Sequence, residues 1–316
     1  MTELIFRDFE TAFGVCIQEI HPVSGGYLNR KWRVRTDAGD VLLKQYSHER
    51  FNRKKLNEIE QALARQMILY DQGIPCPRVW KAGETIIRRP SEEIDYMVME
   101  FLPGESAGPD AVNLLQMESL GEVCARMHEA FRRLPCEGVK GYPMNRNQLL
   151  AALKEAVRPG AEEEENAPEA YREAVKRARR WAEKADFSFL SRIEASIAHE
   201  DFTPDNMLFS GTGLSAVLDF DRNQFSFPLH DIGRVLMSLA CHDGKMIGER
   251  VSAFRSGYAR CARLTDSDIS DALKLTALIE IPWWIRPGCF AGSSPKVRRF
   301  AEEMLFLIRN ISEFDG

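Results

Sequence analysis

The sequence predicts an α+β chain in two lobes: a small antiparallel β-sheet lobe with one long helix, then a larger and mainly helical lobe. Three observations predict it. The chain has 316 residues, more than one hydrophobic core usually serves. Its first hundred residues are mostly short runs rich in β-formers. After Leu102-Pro103-Gly104 the apolar residues fall at helical spacing instead. The expected division is therefore 1–101 and 102–316.

In chain order, "CIQEIHPV" (16–23), "KWRVRT" (31–36) and "VLLKQY" (41–46) are expected strands. Gly25-Gly26 lies between the first two, and "DAGD" (37–40) turns the chain before the third. Ile59, Leu63, Met67 and Ile68 fall near helical spacing within 48–72. Gly73 offers the stop, which Pro75 and Pro77 reinforce. "RVWKAG" (78–83) and "YMVMEF" (96–101) read as two more strands. "LLQMESLGEVCARMHEAFRRL" (114–134) reads as an amphipathic helix with Leu120, Val123, Cys124, Met127 and Phe131 along one side. Residues 157–168, "VRPGAEEEENAP", are charged and poor in apolar groups, so an exposed insertion is expected there. The first half of "LSAVLDFDRNQFSF" (214–227) has a buried-strand pattern, and helices follow to the end. No internal repeat is present.

Composition narrows the function. With 44% hydrophobic and 28% charged residues the chain is an ordinary globular one. A net charge of -5 argues against general nucleic-acid binding, which leaves a basic footprint. Seven cysteines without a CxxC pair read as reduced thiols of a cytoplasmic protein. The acidic start "MTELIFRDFE" does not resemble a signal peptide, and no apolar stretch is long enough to span a bilayer. The expectation is a cytoplasmic protein with no membrane and no nucleic-acid partner; the oligomeric state stays open.

The stretch "IAHEDFTPDNMLF" (197–209) sets one His, three acids and an Asn between apolar ends. Buried flanks around a polar middle suggest a rigidly mounted loop, as chemical sites often require. Asn206 follows Asp201 by five residues, and Asp219 in "VLDFD" follows Asn206 by thirteen. Two carboxylates and an amide oxygen are hard donors suited to Mg²⁺. Far upstream, Lys44 ends an apolar run beyond the Gly-Gly turn, whose backbone N–H groups have room to approach phosphates. These are the components of phosphoryl transfer.

With these residues the sequence resembles the protein-kinase-like superfamily, and within it the aminoglycoside phosphotransferase and choline kinase branch. "HEDFTPDN" (199–206) looks like that branch's catalytic loop and "LDFD" (218–221) like its metal motif. "VSGGYLNRKWRV" (23–34) with "VLLK" (41–44) resembles its nucleotide loop and lysine strand. "VMEFLPGE" (98–105), "LGEVCARMHEA" (120–130) and "LHDIGR" (229–234) match its later segments. The resemblance implies a bilobal protein-kinase-like fold and an ATP- and Mg²⁺-dependent transfer to a hydroxyl of a small molecule. It implies that Asp201 accepts or orients the substrate hydroxyl proton, and that Asn206 and Asp219 hold metal. Ser24, Gly25, Gly26, Asn29, Lys44, Glu60, Glu100, Phe101 and Leu102 would bind nucleotide. Within that set Lys44 would be held by a helix glutamate, Glu60 in preference to Glu58, and the backbone of 100–102 would meet the adenine edge. His199 and Asp231 would brace the loop.

Plainer readings stand beside these. Thr203 or Asp205 alone would make the loop a capped turn around Pro204. Asp221 assists the metal or is an outward-facing strand-end carboxylate. In "IEIPWWIRPG" (279–288), Glu280, Trp283 and Trp284 are a candidate wall for a cationic substrate, although paired tryptophans are more often core. The acidic run at 162–165 reads as a solvated face. Only eleven residues separate Asp219 from Asp231, and no Ala-Pro-Glu follows, which leaves no room for a peptide platform and favours a small-molecule acceptor such as an antibiotic, amino-alcohol, homoserine or sugar. Glu200 stands where the branch has a small or basic residue, His230 where it has Tyr, and Gly233 where Ala is common. A catalytically silent kinase-fold protein, of the spore-coat kind, is the alternative reading.

Overall fold

The structure is a computed structural model that describes residues 2–23, 29–135, 146–156, 169–242, 244–286, 289 and 294–311. The chain forms two compact units. The first comprises residues 1–105, 208–210 and 215–223, and the second 106–207, 211–214 and 224–316. It is α+β, with the antiparallel sheet in the first unit and most helices in the second.

The first unit opens with helix α1 (Thr2–Phe13), which sequence reading did not anticipate. Its apolar signal is brief: Ile5 and Phe9, one turn apart, are its buried residues. A six-stranded sheet follows, built from β1 (Ile17–Pro22), β2 (Arg30–Thr36), β3 (Gly39–Tyr46), β4 (Val79–Trp80), β5 (Arg88–Ser91) and β6 (Ile94–Glu100). The order is β1-β2-β3-β6-β4, with β5 also on β6, and every pair is antiparallel. Of the expected strand at 78–83, Val79 and Trp80 form β4, and Ala82 makes an isolated antiparallel bridge to Thr85.

Alternation along the strands sorts side chains onto two faces. Val41, Leu43, Ile94, Tyr96 and Val98 pack with Ile5 and Phe9 of α1. Tyr46, Met97 and Met99 pack on the other face with Leu56, Ile59 and Leu63 of α2 (Arg53–Asp71). Lys44 shares Tyr46's parity and therefore that second face. Asn52 caps α2 by accepting from the Lys55 N–H at 2.9 Å. At the other end Gly73 has φ 76°, its N–H reaches Tyr70 O, and the Ile74 N–H reaches Leu69 O. That paired closure needs a left-handed residue, hence the glycine.

The second unit contains α3 (Leu114–Arg132), α4 (Arg146–Ala156), α5 (Glu169–Lys184), α6 (Pro228–Ala240), α7 (Gly248–Tyr258), α8 (Asp266–Trp284) and α9 (Pro295–Asn310). β7 (Ser196–Ala198) pairs with β10 (Gln224–Ser226), and β11 (Cys241–His242) with β12 (Lys245–Met246). The chain passes between units through the paired strands β8 (Met207–Ser210) and β9 (Gly213–Val217). An apolar core including Leu153, Met237, Leu275, Ile281, Met304 and Leu307 draws on α4, α6, α8 and α9. Gly233 explains itself here, since a Cβ on it would lie 2.2 Å from Thr276 Oγ1 and 2.3 Å from the Ala272 carbonyl of α8. Among the described residues no helix is long and apolar enough to cross a membrane.

Candidate active site

In the first unit the charged focus is Lys44 on β3. The side chain is 4% exposed, and its Nζ lies 2.8 Å from Asp219 Oδ1 and 2.7 Å from Asp221 Oδ2. In a regular strand two carboxylates two residues apart would share one face. Here no strand holds them: Asp219 takes left-handed dihedrals (φ 59°, ψ 59°), a 3₁₀ turn follows at Phe220–Arg222, and both acids reach the one ammonium. A non-glycine residue in that region carries roughly 1–3 kcal/mol of strain, which the surrounding contacts must offset. They are present: Asn223 Nδ2 donates to Ala62 O at 2.9 Å, and Arg65 Nη2 donates to Asn223 O at 2.8 Å, which pins the turn to α2.

Burial alone would lower the Lys44 pKa, but the charges of Asp219 and Asp221 overcome it and hold the ammonium above its ordinary value. Burial raises Asp221, with the Lys44 charge opposing. Asp221 is thus a buried partner of Lys44, which corrects the outward-facing reading. The expected Lys44–Glu60 pair is absent. Glu60 Oε1 accepts the Ile87 N–H at 3.3 Å, and Glu58 pairs with Lys55 at 3.0 Å on the surface. Both α2 glutamates are committed elsewhere, and the 219–221 turn supplies the lysine's counter-charge.

Ser24, Gly25 and Gly26 lie outside the described residues, as does the acidic run at 162–165. Asn29 Oδ1 accepts the Ser47 N–H at 3.4 Å. The Glu100 N–H donates to Arg78 O at 2.8 Å and the Phe101 N–H to Asp40 O at 3.0 Å, while half-buried Leu102 takes part in no such backbone bond among the described residues.

No three His, Cys, Asp or Glu side chains among the described residues converge into a metal cage. Mg²⁺ does not need one when a nucleotide carries it, because one or two carboxylates suffice beside phosphates and water. The donor set fits that mode. Asp219 is one-third exposed, and the buried Asp221 Oδ1 has no hydrogen-bond partner among the described residues.

In the second unit the 199–206 loop leaves β7 and is fixed through its backbone. Buried Asp231, in the first turn of α6, accepts the His199 N–H at 2.8 Å and the Glu200 N–H at 2.9 Å. Behind it, His128 Nε2 lies 3.1 Å from Asp231 Oδ2, and His128 Nδ1 lies 3.3 Å from the Tyr258 hydroxyl. Burial would raise the Asp231 carboxyl, yet His128 and His199 hold it below its ordinary value. The His199 ring accepts the Asp201 N–H at 3.3 Å. The Asp201 carbonyl accepts from the Thr203 N–H and from Asn206 Nδ2, both at 2.9 Å. That leaves the half-buried Asp201 carboxylate and the Asn206 Oδ1 for other partners.

The capped-turn reading fails, because Thr203 makes no capping bond and Asp205 instead pairs with Arg299 (2.9 Å) and Lys296 (3.0 Å). Glu200 has φ 67°, and its carboxylate lies 3.5 Å from His230 Nδ1, with Glu280 3.3 Å from His230 Nε2. The two departures from the family pattern thus face one another. Burial opposes the charge on His230, but the two glutamates push it up to about 10. Burial would raise Glu280, and His230 and Arg234 bring it down to about 2. Trp284 donates its indole N–H to Glu280 and packs on Phe300, whereas Trp283 is 62% exposed, so the expected wall divides. Sequence reasoning missed Arg234 and its 2.6 Å partner Glu303, 69 positions apart with no local signal.

Three comparisons with known proteins bear on this geometry. The sequence profile described as "Phosphotransferase enzyme family" matches residues 19–264. Homoserine kinase of Rhodopseudomonas palustris (strain BisA53) is 25% identical over 262 residues, 81% of this chain and 74% of that protein. Homoserine kinase of Gluconobacter oxydans (strain 621H) is 25% identical over 284 residues, covering 84% and 82%. Among solved structures, a microcompartment-associated aminopropanol kinase superposes with TM-score 0.62 at 17% identity, covering 98% of each chain. A spectinomycin phosphotransferase in complex with ADP and spectinomycin gives 0.63 at 13% identity, covering 99% and 98%. At such identities these structures establish the kinase-like fold alone.

Proposed function

This chain belongs to the phosphotransferase enzyme family, and on that premise we propose that it transfers the γ-phosphate of Mg-ATP to the hydroxyl of a small amino acid or amino-alcohol. Homoserine is the first acceptor to test, because the curated relatives are homoserine kinases and one structural neighbour phosphorylates aminopropanol by name. The observation that carries the reading is the buried Lys44 ammonium held between Asp219 and Asp221.

Bound Mg²⁺ supplies charge neutralisation on the nucleotide phosphates. Lys44 adds a fixed positive charge for those phosphates, kept protonated by its two acids. Asp219 would offer oxygens to that ion, and the family resemblance gives Asn206 Oδ1 the same role. Asp201, its backbone locked by His199, Thr203 and Asn206, orients the acceptor hydroxyl and takes its proton. Asp231 keeps that loop in place from behind. The short path from Asp219 to α6 leaves no peptide platform, which supports a small acceptor. An enzyme that draws on the cellular Mg-ATP pool belongs in the cytoplasm.

The test is calorimetry with Mg-ATP on the wild type and on Asp219→Ala, followed by ADP release over a panel of acceptors. Binding that needs both magnesium and Asp219, and turnover of an amino-hydroxyl compound, is the expected outcome. A folded protein that ignores millimolar Mg-ATP would leave the silent-scaffold reading in its place.

A further inference from the structure

Charges of alternating sign run from one end of the 199–206 loop to the other within the second unit. At the start of the loop Glu200 lies 3.5 Å from His230 Nδ1, and His230 Nε2 lies 3.3 Å from Glu280 of α8. Neither ring nitrogen makes a hydrogen bond among the described residues, so charge holds these contacts. Arg234, one turn along α6 from His230, adds its own charge to Glu280. It also reaches Glu303 of α9 at 2.6 Å, and Glu303 lies 3.5 Å from Arg299. Arg299 closes the run on Asp205 at 2.9 Å. Side chains thus tie both ends of the loop to α6, α8 and α9, with Asp201 between the two anchors.

Stability does not explain this arrangement. Glu200 and His230 are buried, and ion pairs so buried are often replaced by apolar residues of like volume without loss. Nor does the backbone ask for a glutamate. Glu200 has φ 67°, a left-handed value that glycine takes without strain. Among the described residues the only other non-glycine residue with a positive φ is Asp219, and backbone strain of this kind gathers at functional sites. The Glu200 side chain therefore supplies something a glycine could not. Its neighbour is Asp201, whose N–H and carbonyl are already bound within the loop. The remaining freedom of the Asp201 carboxylate depends on where Glu200 is held.

We propose that Glu200, His230 and Glu280 are positioning residues for Asp201, holding the start of its loop while the Arg299–Asp205 pair holds the end. The assignment rests on the phosphotransferase reading, in which Asp201 orients the acceptor hydroxyl and takes its proton. Arg234 and Glu303 link the two anchors. None of the three residues touches the reacting atoms; they act through the direction of one carboxylate.

The test uses the full chain and ADP release, to homoserine or, without an acceptor, to water. Glu200→Gln keeps the volume and removes the charge, whereas Glu200→Gly removes the side chain and suits the left-handed backbone. Each should lower kcat at least ~10-fold with the KM for Mg-ATP unmoved, because a small displacement of a reacting group is enough for such a loss. His230→Gln should do the same. The Glu200→Gln/His230→Gln double variant should lose less than the product of the single losses, as residues acting as a unit do. On an Asp201→Asn background Glu200→Gln should cost less than ~2-fold, because no carboxylate is left to position. Calorimetry with Mg-ATP shows that each variant is folded. Full activity in both Glu200 variants overturns the assignment. So does a loss that persists undiminished behind Asp201→Asn, or one that spreads to the KM for Mg-ATP, the mark of a general loosening. Absence of Mg-ATP binding by the folded wild type overturns the phosphotransferase reading, and this assignment with it.

Discussion

Asp231→Asn keeps the side-chain volume and removes one acceptor from the back of the 199–206 loop. Asp231 serves two backbone N–H groups, at 2.8 and 2.9 Å, with one oxygen each. The amide keeps one oxygen and turns an NH₂ toward the other N–H. Stranding one buried donor costs about 1–3 kcal/mol, and the surviving bond loses its charge assistance, about 1 kcal/mol more. The sum is about 2–4 kcal/mol at neutral pH. Urea denaturation of both proteins at pH 7 measures it. Because the Asp231 pKa is depressed below 3.8, this contribution is fully present above that pH and disappears as pH falls through the folded value. The gap between wild type and variant should therefore be equal at pH 5 and pH 7. Displacing the loop should also cut kcat by about 10- to 100-fold while Mg-ATP affinity holds. A variant within 0.5 kcal/mol of wild type, with unchanged kcat, would refute the bracing role.

Three further outcomes are expected. Lys44→Met should weaken Mg-ATP binding and cost about 3–5 kcal/mol of stability, because it strands Asp219 and Asp221; adding Asp221→Asn should recover part of the loss in denaturation. Gly233→Ala should lose about 1–3 kcal/mol, read as a lower Tm, since its Cβ has 2.2 Å to Thr276 Oγ1. His230, raised from 6.5 to about 10, contributes stability that is complete below about pH 6.5 and lost as pH rises toward 10, so His230→Gln should flatten the alkaline limb of a stability profile.

The fold was legible where local chemistry decides it. β2, β3, α2 and α3 announce themselves by alternation, helical spacing and capping. Helix α1 did not, because two buried residues one turn apart give too short a pattern to separate from an acidic tail. The loop at 199–206 stood out because its charge sits between apolar flanks. Its bracing by Asp231 came from family resemblance, and the third member of that support, His128, lies 103 positions from Asp231 with no local signal for the contact. Lys44's partners were misjudged for a physical reason. Its contacts with Asp219 and Asp221 span 175 and 177 positions, and the left-handed turn that aligns both acids has no signature in Leu-Asp-Phe-Asp. The Arg234–Glu303 pair depends on how α6 meets α9, which no single stretch encodes.

One consequence concerns synthesis on the ribosome. The first unit is not finished at residue 105, because residues 215–223, with both counter-charges of Lys44, belong to it. At about 5–20 residues per second the intervening ~118 residues take roughly 6–24 s to emerge. Throughout that interval the nascent sheet must either keep the lysine in water or bury a bare ammonium. Closure of the first unit is therefore post-dated to the arrival of Asp219 and Asp221, and a fragment ending at residue 105 should not stand as a stable domain.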